Sequence, residues 1–312
     1  MNKYPRVAVL LSTYNGEKYV REMMESVITQ DYPNLMFYIR DDGSTDATLD
    51  IISEYVEKYD NVVYVEDEKH RGYPGCFYAL TNKCGDEIKA DYYFFADQDD
   101  VWLQGKIKRG VCAIRQKEKQ IGKNQAIAYY AGYTICDENL NVIGHSSKRD
   151  KNISLVNAMY EICGLEFTMA VNSAAIKLLS EVKPRKLNAR GTWMSMLYSA
   201  LGTVIIDNYP VALYRRNDGA FTSKQQSGLG LFIWRVKNFL INDAFSEYRE
   251  ILEEFYDMSH KRLSVEDEKM LRFFAKEHGF TDRLRKAFYP KRLRSKITDE
   301  IGVRGAFLVG KL

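Results

Sequence analysis

Residues 92–100, YYFFADQDD, run four large apolar side chains and an alanine straight into three carboxylates, Asp97, Asp99 and Asp100. An apolar run of this length is expected to be a buried strand whose C-terminal end breaks into a charged loop. Carboxylates held this close at neutral pH must share protons or share a cation. A donor set made only of oxygens suits Mg²⁺ or Mn²⁺, and these ions usually accompany a phosphate-bearing substrate. The competing assignment is structural: an acidic turn that caps a helix beginning near Leu103.

The elements upstream favour a site. VAVLLST (7–13) is expected as a buried strand, followed by a helix over 17–30 with Tyr19, Met23 and Val27 on one face. LMFYIRDD (35–42) gives a second strand. Ser44 is then a candidate cap for a helix carrying Leu49, Ile52, Val56 and Tyr59 at helical spacing. VVYVED (62–67), a helix over 74–83 and YYFFAD complete a βαβαβαβ order, which implies a parallel sheet with helices on its faces. Ligands bind such sheets beyond the carboxyl ends of the strands. Four polar clusters fall there: STYNGE, DDGSTD, EDEKHRG and ADQDD.

Further along, AIAYYAGYTI, FTMAV, TVIID and VALYRR are expected as short strands, with helices over 173–180 and 192–201. From about residue 228 the pattern is helical and charged, placing a domain boundary at 222–223. Residues 1–222 would form one α/β domain and 223–312 a helical, basic C-terminal region.

Composition narrows the function classes. With 46% hydrophobic and 28% charged residues the chain is an ordinary globular protein. Its longest apolar stretch, LGLFIWRVKNFLI (229–241), carries Arg235 and Lys237 and is not expected to span a membrane. A strand is expected within a few residues of Met1, and no signal peptide is therefore expected. Five scattered cysteines without a CxxC pair argue against a zinc site or disulfide framework, and a reducing cytoplasm is expected. Residues 281–312 hold nine Lys/Arg against Asp282, Asp299 and Glu300, a charge of +6, while the chain as a whole carries only +3. Basic residues interleaved with Leu284, Phe288, Tyr289, Leu293 and Ile297 suit an anionic lipid surface, although a solvated helix face would look similar. Nothing in the rest of the chain suits nucleic acid. No GxGxxG follows the first strand, which disfavours a dehydrogenase, and the loop STYNGEKY is not the glycine-rich basic loop of a nucleotidyltransferase.

LLSTYNGEKYV (10–20), IRDDGSTDATLDII (39–52), YYFFADQDDVW (92–102) and, more weakly, YPVALYRR (209–216) resemble the family 2 glycosyltransferases, in particular bacterial rhamnosyltransferase-like members. The resemblance covers roughly residues 1–220. It implies the GT-A fold, a Rossmann-like, mainly parallel but mixed sheet flanked by helices, here with a C-terminal helical extension. It also implies a metal-dependent, inverting transfer from a UDP- or dTDP-sugar, with rhamnose a candidate sugar. The acceptor would be a cell-wall or surface polysaccharide on a lipid carrier, at the cytoplasmic face of the plasma membrane. By the same resemblance, Ser12, Tyr14 and Glu17 line the nucleotide pocket and Asp42 accepts a hydrogen bond from the base. Arg71 meets the diphosphate or sugar, Asp97 supports the sugar or nucleotide, Asp99 holds Mg²⁺ or Mn²⁺, and Asp100 caps the next helix.

Two positions depart from the family pattern. Rhamnosyltransferase-like relatives carry a general base in a His-Asp-Trp-Trp or His-Asp-Trp-Tyr motif opening a helix. That helix is WMSMLYSALG (193–202) here, but Arg190 and Gly191 stand where the His and Asp would be, and no acidic residue occurs between Glu181 and Asp207. Relatives also read Tyr-Arg-Gln-His after the last strand, where this chain has Tyr214, Arg215, Arg216 and Asn217. Asn217 can still offer a carbonyl to the metal, and Arg216 can meet phosphate. Glu166, just before TMAVN, is then the candidate for a relocated base. The alternative is a chain that binds donor but transfers little, acting as partner or regulator of another transferase.

Overall fold

β1 (Val7–Thr13) is buried along almost its entire length, which is why VAVLLST shows no polar alternation. In the computed structural model, residues 4–67, 69–185, 190–216 and 244–312 are described. Asn217, the expected boundary at 222–223 and the apolar stretch 229–241 lie outside them. The chain divides into two compact units. The first takes in residues 1–151, 164–181 and 202–217, and the second 152–163, 182–201 and 218–312.

The first unit opens with the expected alternation: β1, α1 (Val20–Ile28), β2 (Leu35–Asp41), α2 (Thr48–Lys58), β3 (Val62–Tyr64), α3 (Gly75–Thr81) and β4 (Tyr92–Ala96). These strands lie in the order β3-β2-β1-β4, all parallel. Strand periodicity sends alternate side chains to opposite faces. Tyr92, Phe94 and Ala96 join a core with Met23, Met24 and Val27 of α1 and Ile51, Ile52 and Tyr55 of α2. Phe95 points the other way, its ring 5.0 Å from that of Phe77 in α3.

After β4 come β5 (Val101–Trp102), α4 (Lys106–Ile121), β6 (Ile127–Cys136), β7 (Val142–His145), a 3₁₀ turn (Glu166–Thr168), β8 (Ala170–Asn172), α6 (Ser173–Glu181) and β9 (Thr203–Arg215). The sheet continues from β4 through β8, β6, β9 and β5. β8 runs antiparallel to both β4 and β6, and β6 and β9 are parallel. The sheet is therefore mixed, as expected.

Sequence periodicity separates TVIID from VALYRR, yet β9 is a single strand through Pro210. Its pairing with β6 jumps from Ala131↔Asp207 to Gly132↔Pro210, so Asn208 and Tyr209 bulge out of register. A Cβ at Gly132 would lie 2.8 Å from the Asn208 carbonyl oxygen, so only glycine accommodates this bulge without a shift.

The second unit is helical: α5 (Leu155–Ala158), α7 (Arg190–Leu201), α8 (Ala244–Ser259), α9 (Val265–Lys276), α10 (Phe280–Ala287) and α11 (Ile297–Leu308). Its core stacks Tyr160 on Tyr248 and sets it edge-on to Phe274 and Phe307. Trp193 meets Phe255 edge-on, and its indole N–H donates to the Val182 carbonyl at 2.9 Å. No helix among the described residues is long and apolar enough to cross a membrane.

α4 follows the acidic loop after the short β5, and it packs on β4. Gly110 permits close approach, because a Cβ there would lie 2.9 Å from the buried Phe94 ring. Overpacking costs ~1–3 kcal/mol, against the ~1 kcal/mol that alanine gains over glycine in a helix. Gly110→Ala is expected to lower the urea unfolding midpoint and Gly110→Val to lower it further. Unchanged midpoints in both variants would mean that the ring yields freely.

Candidate functional site

The loops after β1, β2, β3 and β4 gather at the carboxyl edge of the parallel strands, and hydrogen bonds stitch them together. Asp41 closes the second loop. One carboxylate oxygen accepts from Thr13 Oγ1 (2.7 Å) and Ser44 Oγ (2.6 Å), and the other from the Gly43 and Ser44 amides. Gly43 has φ +90°, a conformation that glycine adopts without penalty. Ser44 does not cap α2, because its hydroxyl is committed to Asp41 and to the Asn15 amide. The amides at the start of α2 are met instead by Asp46, at Thr48 N, and Glu17, at Ala47 N (2.9 Å). Glu17 is thus placed at a helix N-terminus, where its charge is favourable.

Asp42 is buried and accepts from Arg40 Nη1 (2.6 Å), Arg71 N (2.9 Å) and Gly72 N (2.8 Å), with the His70 ring 3.2 Å away. Burial alone would raise its pKa, but these donors and the Arg40 charge hold it below the ordinary carboxylate value. Arg40 is fully buried and also donates to Asp67. Asp67 in turn takes a two-pronged bond from the Arg71 guanidinium, which depresses its pKa strongly. Asp42 and Arg71 are therefore brought together, through the Arg71 backbone amide. The Arg40–Asp67 pair was legible only indirectly: an arginine inside a buried strand requires a carboxylate partner.

Tyr14 is half exposed, and its ring centroid lies 5.2 Å from that of His70, itself anchored through Nδ1 to the Asp42 carbonyl. Ser12 Oγ is buried with no hydrogen-bond partner. The first and fourth loops are joined by Gln98, which accepts from Tyr14 N (2.8 Å) and donates to Tyr14 O (3.0 Å). Gly16 makes room for it, since a Cβ there would lie 2.6 Å from Gln98 Oε1.

In the acidic loop, Asp97 and Asp99 are partly exposed and Asp100 is buried. The Asp99 carboxylate accepts no hydrogen bond from another described residue, and burial raises its pKa. Asp100 is raised well above the usual range, first by burial and then by Asp97 and Asp99. Its Oδ1 accepts from Arg215 N, whereas Oδ2 has no partner. Asp100 caps no helix: β5 intervenes, and α4 starts after Gly105 without a side-chain cap.

Two buried basic side chains lie beside this loop, and Arg215 bonds it. Lys106 donates to the Phe167 carbonyl, sits 3.5 Å over the Trp102 ring, and has its pKa pushed well down by burial. Arg215 donates from Nε to the Asp99 carbonyl (3.0 Å), from Nη1 to the Glu138 carbonyl and from Nη2 to Glu22, with its guanidinium 4.5 Å over Tyr19. The functional weight of Gln98, Lys106 and Arg215 was not evident from the sequence. The only hint was a pair of arginines ending an apolar strand. Arg216 Nε is buried without a partner beside them.

Glu166 begins the 3₁₀ turn before β8 and is buried. The antiparallel register Phe94↔Ala170 carries this turn to the carboxyl end of β4. In the second unit, Arg190 and Gly191 open α7.

Among the described residues, no three His, Cys, Asp or Glu side chains are grouped to hold a metal unaided. The chemistry of the loop still fits a hard cation. Its donors are oxygens, Asp99 has no donor from another described residue, and Asp100 keeps an unpaired oxygen. A cation bound by so few protein ligands would complete its shell with phosphate oxygens and water.

Residues 8–160 match the family model "Glycosyl transferase family 2". That stretch belongs to the family. The chain is 34% identical to the dTDP-rhamnosyl transferase RfbG of Shigella flexneri over 122 residues, 38% of this chain and 42% of that protein. It is 33% identical to the putative teichuronic acid biosynthesis glycosyltransferase TuaG of Bacillus subtilis over 111 residues, 35% and 41% of the two chains. The chain thus spans about two fifths of the length of these curated relatives. The crystal structure of S. aureus TarS 1–349 in complex with UDP-GlcNAc superposes with a TM-score of 0.62 at 16% identity, covering 98% of this chain and 79% of that one. That likeness fixes the GT-A fold.

If Arg215 fastens the acidic loop, Arg215→Met is expected to cost about 3 kcal/mol, the scale for breaking a buried charged network. Arg215→Lys should recover only part, because an ammonium cannot reach three separated acceptors at once. Urea unfolding of the three proteins checks this, and wild-type stability in Arg215→Met would refute it.

Proposed function

We propose that this protein is a metal-dependent glycosyltransferase that takes a sugar from a UDP- or dTDP-sugar and passes it, with inversion, to a hydroxyl of a cell-wall or surface polysaccharide. The observation that carries this reading is the acidic loop. Asp99 stands at the carboxyl edge of the parallel sheet with no hydrogen bond from another described residue, while the loop behind it is tied down by Gln98 and Arg215. The names of RfbG and TuaG, a dTDP-rhamnosyl transferase and a teichuronic acid biosynthesis enzyme, support a nucleotide-sugar donor and a polysaccharide product. Rhamnose is the candidate sugar.

In this proposal Tyr14 stacks on the base, with His70 beside it and Ser12 offering its unpartnered hydroxyl. Asp42 and Glu17 act on the nucleotide from behind, because their carboxylates already accept internal donors. Asp42 orients His70 and the amides of Arg71 and Gly72. Arg71 and Arg216 face the diphosphate or sugar, and Asp97 supports the sugar. Asp99 would hold Mg²⁺ or Mn²⁺ with Asn217 as a further ligand, and the bound ion would supply positive charge against the departing diphosphate. Glu166 is the proposed base for the acceptor hydroxyl. The acceptor is taken to ride on a lipid carrier at the cytoplasmic face of the plasma membrane. Residues 1–222 form the transferase domain in this scheme and 223–312 the basic helical region.

One observation favours a second reading. Gly191 occupies the second position of α7, where relatives carry the base, so the chain could bind donor without transferring it and serve another transferase as partner or regulator. Titration calorimetry with UDP- and dTDP-sugars is expected to show binding that requires Mn²⁺. Tyr14→Ala should weaken it by about tenfold, the scale of one lost base–aromatic stack. Transfer assays then separate the readings. Loss of activity in Glu166→Gln supports the relocated base, whereas activity appearing only in Gly191→Asp supports the donor-binding partner. Absence of heat with any common donor would contradict both.

A further inference from the structure

α10 and α11 pack on one another in the second unit, and each carries apolar side chains on a side that no described residue covers. Phe280, Leu284 and Phe288 are spaced by four residues, within an arc of about 80° on a helix, and are 74%, 38% and 75% exposed. Ile297, Ile301 and Leu308 fall within about 40° of one another and are 64%, 61% and 48% exposed. The inward side of α11 is occupied by Val303, Ala306 and Phe307. That helix is therefore apolar on two opposite faces, whereas a helix on a solvated surface normally turns a polar face outward. Six large exposed apolar side chains on two adjoining helices mark an interaction surface.

Charge selects the occupant. The segment 281–312 that bears these stripes carries +6. Lys286 is buried and Arg285, Lys291, Arg294 and Arg304 are paired with acids. An apolar surface on a segment with this excess of Lys and Arg still complements an anionic bilayer, where rings and branched chains enter the interface and cations meet headgroups. A second copy of the chain would bring +6 against +6, so self-association through this face is electrostatically opposed. We propose that the paired outer faces of α10 and α11 form a membrane-docking surface for anionic lipid, seated through Phe280, Phe288, Ile297 and Ile301. This deepens the proposed function and rests on its lipid-borne acceptor for biological purpose, but not for its chemistry.

The test uses the full chain with phosphatidylcholine vesicles, with and without phosphatidylglycerol, in a co-sedimentation assay. Wild type is expected to partition onto the anionic vesicles only, and to be released as salt rises from about 0.1 M to 1 M and the screening length shrinks from ~10 Å to ~3 Å. Phe280→Ser/Phe288→Ser leaves the charge unchanged and alters only exposed side chains, so it should fold normally and lose about tenfold or more in partitioning. Arg292→Gln/Lys296→Gln should lose about fivefold per charge. Equal partitioning of the aromatic variant, binding to neutral vesicles alone, or no vesicle binding by wild type would overturn the proposal. So would a wild-type dimer in light scattering that becomes monomeric in Phe280→Ser/Phe288→Ser. Nucleotide-sugar titration of the same samples keeps the two claims apart. Vesicle binding without donor binding would sustain the docking surface and sink the transferase reading.

Discussion

The site depends on how one buried guanidinium, that of Arg215, holds a loop made of like charges. Like charges repel, and Asp97 and Asp99 help to raise the pKa of the buried Asp100, so the loop is electrostatically opposed to packing inward. Arg215 counters this without neutralising Asp99 directly. It bonds the Asp99 main-chain carbonyl, its amide meets Asp100, and its far end is fixed to Glu22 and the Glu138 carbonyl. Lys106 lies near Asp100 and Asp97, fully buried and partnered by the Phe167 carbonyl and the Trp102 indole face. The backbone is thereby fastened while the Asp99 side chain receives no donor from another described residue. Such an arrangement keeps a ligand available.

Sheet topology makes that clamp possible. β5 follows Asp100 immediately and pairs antiparallel with β9 at Val101↔Leu213, bringing the end of β9 against the acidic loop. β9 in turn lies parallel to β6, and the glycine-dependent bulge at Gly132 lets it stay in the sheet through Pro210 and finish at Arg215. Residues more than a hundred positions apart therefore meet because three strands share one edge. On the other side, Gln98 ties the same loop to Tyr14, and Gly16 leaves the space for it. The first, second and fourth strand-end loops thus form one hydrogen-bonded platform.

Much of this was legible in the sequence. Short apolar runs such as VAVLLST and YYFFA, rich in β-branched or aromatic residues, read as strands buried on both faces, and their alternation with amphipathic helices implies the parallel order seen. The four polar loops were placed correctly for the same reason. Local spacing could not reveal which partner each polar side chain would choose. Ser44 looked like a helix cap but serves Asp41, while Glu17 and Asp46 meet the α2 amides. Asp42 carried a base-reading role by resemblance, yet its lone pairs are directed at Arg40, Arg71 and Gly72, a choice set by folding of the loop after β3. Arg215 appeared only as part of YRR, because its partners come from α1, the β4 loop and the turn after β6. Pairings at long sequence separation leave no local periodicity to read.

In the proposed reaction the loop fastened by Arg215 would present Asp99 to a divalent cation carrying a diphosphate. Anomalous diffraction at the manganese edge, from crystals grown with Mn²⁺ and UDP, locates that ion. A single strong peak is expected within coordinating reach of the Asp99 carboxylate, with diphosphate density on its far side. A peak bound elsewhere, or UDP seated at the strand ends with Asp99 turned away from it, would rule out this role for Asp99.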